Sequence, residues 1–339
     1  MRIAVAGLGG MGFVHARNVR GIKGAELVAV ASTRPGRARD VAAELGVRAC
    51  SYDELLDADD VDAIVVAARS IDHSRTGQDV LRSGKHLFLE KPGATTLDDH
   101  DRLLEAAAGH PEAVVQVGYH RRYDPEFAEL RRVVAAGAIG EPLLVLATSR
   151  DMWAPEPEDP GPAGGFLVDM AVHDYDAACW LLGQEPVETY VARQASMYPE
   201  LEHLGDLDNA SVTISFDRGG IATTHVSRTC AFGHDIRTEV VGTDGSALIG
   251  NAASRPGVVV VTSRDRSEFP GDFRERFADA YRAELEAFVA ACTGDGPRGP
   301  SLDDDRRAVA IGVAARSSAV ARVPRAVGVD WLWEIDPEG

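Results

Sequence analysis

The sequence predicts an α/β protein of two domains. A doubly wound parallel sheet occupies residues 1–120, and an α+β domain with a mostly antiparallel sheet occupies 121–339. Three observations predict this. Short apolar runs alternate with helical patterns as far as residue 118. That alternation then gives way to a succession of strands. A glycine cluster, Gly7–Gly12, marks the first strand-to-helix turn. The length of 339 residues agrees with two domains of roughly 150 residues each.

Taken in order, the N-terminal strands are expected at 2–6, 26–31, 62–67, 86–89 and 113–118, with helices near 10–21, 36–45, 73–84 and 97–108. Strands separated by helical patterns imply βαβ units and a parallel sheet. Asp62-Ala63-Ile64-Val65-Val66-Ala67 is apolar after its first residue, as a strand covered on both faces should be. Beyond 120 the expected order is a helix near 124–136, a strand at 142–150, a Pro/Gly-rich loop at 154–165 and a helix near 166–182. Strands follow at 186–197, 209–216, 220–229, 235–242, 246–250 and 257–262, and helices near 274–292 and 303–321 close the chain. Gly219-Gly220 and Asp244-Gly245 are hairpin punctuation. No internal repeat or low-complexity tract is evident.

Composition excludes whole classes of partner. The formal charge is −18, and a non-specific nucleic-acid binder needs a basic face to displace counterions. The same acidity disfavours an anionic membrane surface. No uninterrupted apolar run approaches the ~18 residues of a membrane span, and no signal peptide is expected. Cys50, Cys179, Cys230 and Cys292 form no CxxC pair, so a reduced, cytoplasmic protein without structural zinc is expected. Only three lysines occur, Lys23, Lys85 and Lys91; the other 32 basic residues are arginine. In so arginine-rich a chain, a retained lysine is one whose place arginine does not fill.

Gly7-Leu8-Gly9-Gly10-Met11-Gly12 fits G-x-G-x-x-G directly after a strand and before a helix. That context gives the pattern its meaning: glycines make the tight turn and let backbone N–H groups reach a pyrophosphate. A dinucleotide-binding Rossmann domain is expected. About twenty residues on, an acid normally binds the adenine ribose hydroxyls. Ser32, Thr33 and Arg34 stand there instead, with Arg37 close behind. Hydroxyls and guanidinium suit a 2′-phosphate, so the coenzyme is NAD or NADP with a mild lean to NADP. The alternative for Arg34 is an ordinary solvated arginine.

Two further motifs bear chemistry. Glu90-Lys91-Pro92 follows the strand at 86–89, at the carboxyl end of a parallel strand, where open α/β sheets bind ligands. The Lys91–Pro92 bond is a candidate for the cis form. A lysine exchanges a proton near neutral pH when burial tunes it, and an ammonium stabilises a developing alkoxide. The competing reading is a strand-end lysine paired with Glu90. Further on, Asp169, His173 and Asp176 are spaced four and three apart in an otherwise apolar stretch, on one face of a helix. A neutral histidine takes a hydroxyl proton, and an aspartate one turn away orients its ring. A satisfied core network and a carboxylate–histidine metal site are the alternatives; no further histidine cluster completes a ligand set, so no metal is expected.

Together these motifs resemble the Gfo/Idh/MocA oxidoreductases, over nearly the whole chain. The resemblance includes Gly118-Tyr119-His120-Arg121-Arg122-Tyr123-Asp124 and Phe277-Ala278-Asp279-Ala280-Tyr281-Arg282-Ala283-Glu284. With Phe166-Leu167-Val168-Asp169-Met170, these segments look most like the inositol 2-dehydrogenase branch. The resemblance implies a Rossmann domain joined to a domain with a large open sheet. It implies NAD(P)-dependent oxidation of a secondary hydroxyl of a cyclitol or sugar. Lys91, Asp169 and His173 would be the catalytic group: His173 would accept the proton, Lys91 would polarise the oxygen and Asp169 would link them. Polyol contacts would come from Lys91, His120, Arg121, Asp151, Trp153, Asp169, His173, Asp176, His234 and Tyr281. Cofactor contacts would add Ala68, Arg69, His73, Glu90, Lys91 and Arg121 to the glycine loop. A homo-oligomer, dimer or tetramer, would assemble through the open sheet face.

The sequence departs from that pattern at His120, at His234, and at Ala67-Ala68-Arg69-Ser70-Ile71-Asp72-His73, which replaces a small Pro-containing loop. Arg69 is a candidate anion ligand or a salt-bridge partner. The alternatives are a ketoreductase of a modified or nucleotide-linked sugar, an aldose 1-dehydrogenase, and a cofactor-binding sensor or scaffold without turnover.

Overall fold

A computed structural model describes residues 1–152, 165–203, 206–250, 270, 272–329 and 331. The chain divides into two compact units, Met1–Tyr123 with Asp279–Arg306, and Asp124–Ala278 with Arg307–Gly339.

In the first unit the strands are β1 (Arg2–Ala6), β2 (Glu26–Ala31), β3 (Arg48–Cys50), β4 (Ala63–Val66), β5 (His86–Leu89) and β6 (Val115–Val117). They form one sheet in the order β3-β2-β1-β4-β5-β6, and every pairing is parallel. The helices between them are α1 (Gly10–Val19), α2 (Pro35–Leu45), α3 (Tyr52–Asp57), α4 (Ser70–Arg82) and α5 (Leu97–Ala108). Strand order reverses at β1, so the carboxyl ends of β1 and β4 flank the crevice where such sheets bind ligands. The four residues of β4 are all buried. A 3-10 turn spans His120–Tyr123.

β3 and α3 are additions to the expected elements. The signal for α3 is in the sequence: Ser51 caps the Glu54 N–H while the Glu54 carboxylate accepts from the Ser51 N–H at 2.7 Å, a capping box.

The second unit contains α6 (Pro125–Ala135), β7 (Pro142–Arg150), α7 (Gly165–Asp169), α8 (Val172–Leu182), β8 (Pro186–Gln194), α9 (Glu200–His203), β9 (Asn209–Phe216), β10 (Ile221–Ser227), β11 (Asp235–Gly242), β12 (Ser246–Ile249), α10 (Phe273–Arg276) and β13 (Arg325–Ala326). Its sheet runs β12-β11-β7-β10-β9-β8-β13, antiparallel except for the β7–β10 pair. Alternate residues of β9 and β10 are buried, so one face is covered and the other open. The expected strand at 257–262 and the loop at 154–164 lie outside the described residues.

Two expectations are corrected. The stretch 166–182 is two helices. Ala171 N–H reaches back five residues to the Phe166 carbonyl, at 3.2 Å, and α8 starts afresh at Val172. Asp169 therefore ends α7 while His173 and Asp176 lie on α8. The second correction concerns the penultimate helix. The expected helix near 274–292 breaks at Phe277, and its longer part, α11 (Ala278–Thr293), belongs with the first unit from Asp279 onward. Leu285, Phe288 and Val289 of α11 join Ile3, Val5 and Phe88 in one buried cluster. The Phe88 and Phe288 rings meet edge to face at 5.7 Å. The last long helix, α12 (Leu302–Ala321), spans the division after Arg306. No helix among the described residues is long and apolar enough to cross a membrane.

Candidate functional site

The glycines after β1 do two different jobs. Gly7 has φ +94°, and a Cβ there would strike the Ala67 backbone. A Cβ at Gly12 would strike the Gly7 carbonyl, so α1 lies against the turn only because Gly12 lacks one. At Gly9 and Gly10, by contrast, a Cβ would meet nothing within 4 Å. These two leave space above the start of α1, where free N–H groups face outward. The geometry fits a pyrophosphate.

A cavity of about 410 Å³ opens beside this turn. Gly7, Leu8 and Gly9 line it, as do Ser32, Thr33, Arg34 and Arg37, and Ala68 and Arg69. The structure thus brings these predicted cofactor residues together. Gly10, Met11 and Gly12 lie in the first turn of α1. Arg34 is exposed before α2, its N–H on Ser32 Oγ at 3.2 Å. Arg37 is tied to the loop, Nε donating to the Leu8 carbonyl at 3.2 Å and its guanidinium 5.2 Å from the Phe13 ring centroid. Arg69 pairs with Asp72 at 2.9 Å while 81% of its side chain stays exposed. Asp53, in the first turn of α3, lines the same cavity and is a carboxylate that sequence reasoning missed. The capping box at Ser51–Glu54 was the signal for its position.

Lys91 sits at the carboxyl end of β5, and the Lys91–Pro92 bond is cis. Two contacts hold this turn. Glu90 Oε2 accepts the Lys91 N–H at 3.2 Å, and buried His73 lies 2.8 Å from the Pro92 carbonyl through Nδ1 and 3.1 Å from the Ala68 carbonyl through Nε2. His73 therefore joins the turns after β4 and β5.

Behind that turn Glu90 Oε1 meets His15 Nε2 at 2.6 Å, both residues buried. Burial alone would push the Glu90 carboxyl up; the hydrogen bond and charge of His15 outweigh it and hold it below the ordinary value. Glu284 on α11 completes the group: one ligand-capable atom each from His15, Glu90 and Glu284 all lie within 4.8 Å of one another. Burial, and then the Glu90 charge, raise the Glu284 carboxyl well above its ordinary value. Neither His15 nor Glu284 was singled out from sequence. The available signal was a glutamate on the face of α11 that also carries Ala280, Tyr281, Leu285 and Phe288. His120 and Arg121 are buried in the 3-10 turn, and the His120 ring lies 4.4 Å from that of Tyr281.

In the second unit, Asp151 follows β7. Its N–H donates to the Ser227 carbonyl at 2.8 Å, and its Oδ1 accepts the Met152 N–H at 2.7 Å and lies 4.0 Å from His234 Nδ1. Burial raises the Asp151 carboxyl. The predicted pair Asp151 and His234 thus comes together, while Trp153 lies outside the described residues. The start of α7 is fixed by Asp206, which accepts the Phe166 N–H at 2.9 Å and pairs with buried Arg228 at 3.1 Å. Arg228 in turn lies over the Phe166 ring at 4.5 Å. Asp176 is buried on α8, and Asp174 beside it accepts from Ser149 Oγ of β7 at 2.8 Å. These contacts seat α8, with His173 in its first turn, on the sheet.

Comparison with known proteins agrees over both units. The family described as "oxidoreductase family, NAD-binding Rossmann fold" matches residues 1–119, and "oxidoreductase family, C-terminal alpha/beta domain" matches 131–327. The chain is 35% identical to scyllo-inositol 2-dehydrogenase (NAD(+)) of Bacillus subtilis, over 94% of each chain. It is 33% identical to myo-inositol 2-dehydrogenase of Thermotoga maritima, over 94% of this chain and 96% of the other. Among solved structures, scyllo-inositol dehydrogenase of Lactobacillus casei with NAD(H) and scyllo-inositol bound superposes with a TM-score of 0.85. It is 26% identical, over 97% of this chain and 99% of the other.

Proposed function

The chain belongs to the Gfo/Idh/MocA oxidoreductases, and from that membership we propose that it is an NAD(P)-dependent dehydrogenase oxidising a secondary hydroxyl of a cyclitol, an inositol first of all. The observation that carries the reading is Lys91, on a braced turn at the carboxyl end of β5.

The nicotinamide supplies the hydride acceptor. The turn at Gly7–Gly12 holds the pyrophosphate, with Ser32, Thr33 and Arg34 toward the adenine ribose. Lys91 hydrogen-bonds the carbinol oxygen and stabilises the negative charge that grows on it as its proton leaves, a charge that hydride departure then consumes in forming the carbonyl. His173 accepts the hydroxyl proton, and Asp169 holds its ring in place. His120, Arg121, Asp151, Trp153, Asp176, His234 and Tyr281 hold the other hydroxyls. Arg121 and His73 flank the nicotinamide end. NAD is used as by the NAD-linked relatives, and Asp53 supplies the carboxylate missing after β2. Arg34 adds acceptance of NADP, through its 2′-phosphate.

The open sheet face carries Leu146, Tyr190 and Ile221 exposed. A second copy covering them gives a dimer, and two such dimers a tetramer; light scattering behind size exclusion measures the mass. Four free cysteines agree with a reducing cytoplasm.

The test is a coenzyme-reduction screen over inositols, aldoses and sugar acids, with NAD and NADP separately. Turnover of at least one inositol is expected. Reduction of keto-sugars alone would replace this reading by the ketoreductase one, and aldoses alone by the aldose 1-dehydrogenase one. Coenzyme binding with no turnover at all would leave a sensor.

A further inference from the structure

Two carboxyl groups, Glu90 and Glu284, lie side by side in the first unit with no surface to share. Glu284 is fully buried, and neither of its oxygens has a hydrogen-bond partner among the described residues. A Glu90 oxygen lies within 4.8 Å of it, and Glu90 is already hydrogen-bonded to His15 at 2.6 Å and to the Lys91 N–H at 3.2 Å. Two carboxylates this close in an apolar site do not both ionise, because each loses hydration and repels the other. The surroundings decide which one stays charged. Glu90 faces His15 from α1, the charge of His73 from α4, and Lys91 beside it in the chain. Glu284 is near the phenol of Tyr123, and the Gln116 amide is spent on the Glu284 backbone carbonyl at 2.8 Å. On its own helix Tyr281 is one turn back, its ring 4.4 Å from that of His120 at an interplanar angle of 38°.

We propose that Glu90 and Glu284 act as a carboxyl pair carrying one proton, held on Glu284, and that Glu284 is thereby a positioning residue that sets the net charge beside Lys91. With Glu284 neutral, the pair itself carries one negative charge next to Lys91 at neutral pH. The turn then holds its ammonium without burying a second charge. As pH rises and Glu284 ionises, the pair adds a second negative charge beside Lys91. Arginine or lysine in place of a neutral acid would reverse this, and an apolar residue would remove it.

The same three residues have the donor types of a divalent-cation site. The 2.6 Å contact between His15 and Glu90 favours the proton instead, since it already engages His15 Nε2.

The first measurement is infrared difference spectroscopy of wild type minus Glu284→Gln at neutral pH, which uses no substrate and does not depend on the dehydrogenase reading. A protonated-carboxyl C=O band is expected in wild type and absent in the variant. In Glu90→Gln, the band should titrate away at lower pH than in wild type, because the neighbouring charge is gone. The second measurement rests on the proposed reaction. The basic limb of kcat/KM in Glu284→Gln should move to lower pH by at least about half a unit. A structural role alone would lower Tm and leave the limb in place. The absence of the acid band, a band midpoint unchanged by Glu90→Gln, or an unmoved limb in an otherwise active variant would each overturn the proposal. So would one equivalent of tightly bound metal in purified wild type that Glu284→Gln fails to retain.

Discussion

The two sheets use sequence differently. In the first unit both faces of the parallel sheet are covered, and the ligand-binding turn is shaped by backbone: Gly7 and Gly12 let the chain close on itself, while Gly9 and Gly10 keep it open. In the second unit one sheet face is open among the described residues, and the positions of Asp169 and His173 depend on side-chain contacts such as Asp206 with Arg228 and Asp174 with Ser149. Backbone-built sites leave local signatures, a glycine spacing or a proline. Side-chain-built sites leave pairs tens of residues apart, which a single sequence does not join.

The largest expected effects test whether both units supply chemistry. Lys91→Ala and Lys91→Arg should each lose at least ~100-fold in kcat, within the range for a proton-transfer group. Near-normal turnover by Lys91→Arg would leave Lys91 a charge only. His173→Ala should lose a similar factor with coenzyme binding intact, by fluorescence titration; lost binding with retained turnover would move His173 out of the catalytic group. Next comes the backbone site. Gly12→Ala forces a methyl onto the Gly7 carbonyl, which no side-chain movement relieves, and should weaken coenzyme binding by about tenfold or more. Unchanged binding would mean that the turn is looser than its packing. Smaller still, Arg34→Ala should lower kcat/KM for NADP by about fivefold to tenfold and leave NAD within about twofold. Equal losses with both coenzymes would place Arg34 outside the 2′-phosphate site.

The smallest effect is on stability. The Arg2 guanidinium, hydrogen-bonded to Asp62 at the amino-terminal ends of β1 and β4, lowers the Asp62 carboxyl from 3.8 to about 2. Its folded-state value is depressed, so the contribution is present above pH 3.8 and lost as pH falls toward 2. The pair is solvent-exposed, so Asp62→Asn should lower Tm by only about 1–2 °C at neutral pH, and by nothing near pH 2. A persistent difference in acid would show that packing, not charge, is involved.

Much of the first unit was legible. Apolar strand runs, the glycine spacing and the lysine after β5 all rest on periods of two to six residues. The short β3 and α3 were missed because three and six residues carry little periodicity, although the capping box was there to read. In the second unit the strand at 142–150 and the alternation at 209–216 were legible, since a half-covered sheet writes its inside and outside in turn. The break between Asp169 and Val172 was not. No glycine or proline marks it, and it appears only in the hydrogen bond from Ala171 to Phe166. The pairing of Asp151 with His234 spans 83 residues, and that of His15 with Glu90 spans 75. Neither leaves a local trace; each had to be seen in space.

One feature bears on how the chain is made. The core of the first unit includes Leu285, Phe288 and Val289, more than 160 residues beyond Tyr123. During synthesis the six strands and their helices emerge first, with Phe88 lacking the ring that covers it in the finished protein. The nascent unit is thus an unfinished vessel whose last plank arrives more than 160 residues after Tyr123. Ribosome-bound chains stalled before 279 should expose a patch that hydrophobic dyes and chaperones recognise, and chains stalled well beyond Thr293 should not. Expressing 1–120 alone should likewise yield a sticky fragment, while 1–123 linked to 279–306 should give a soluble one.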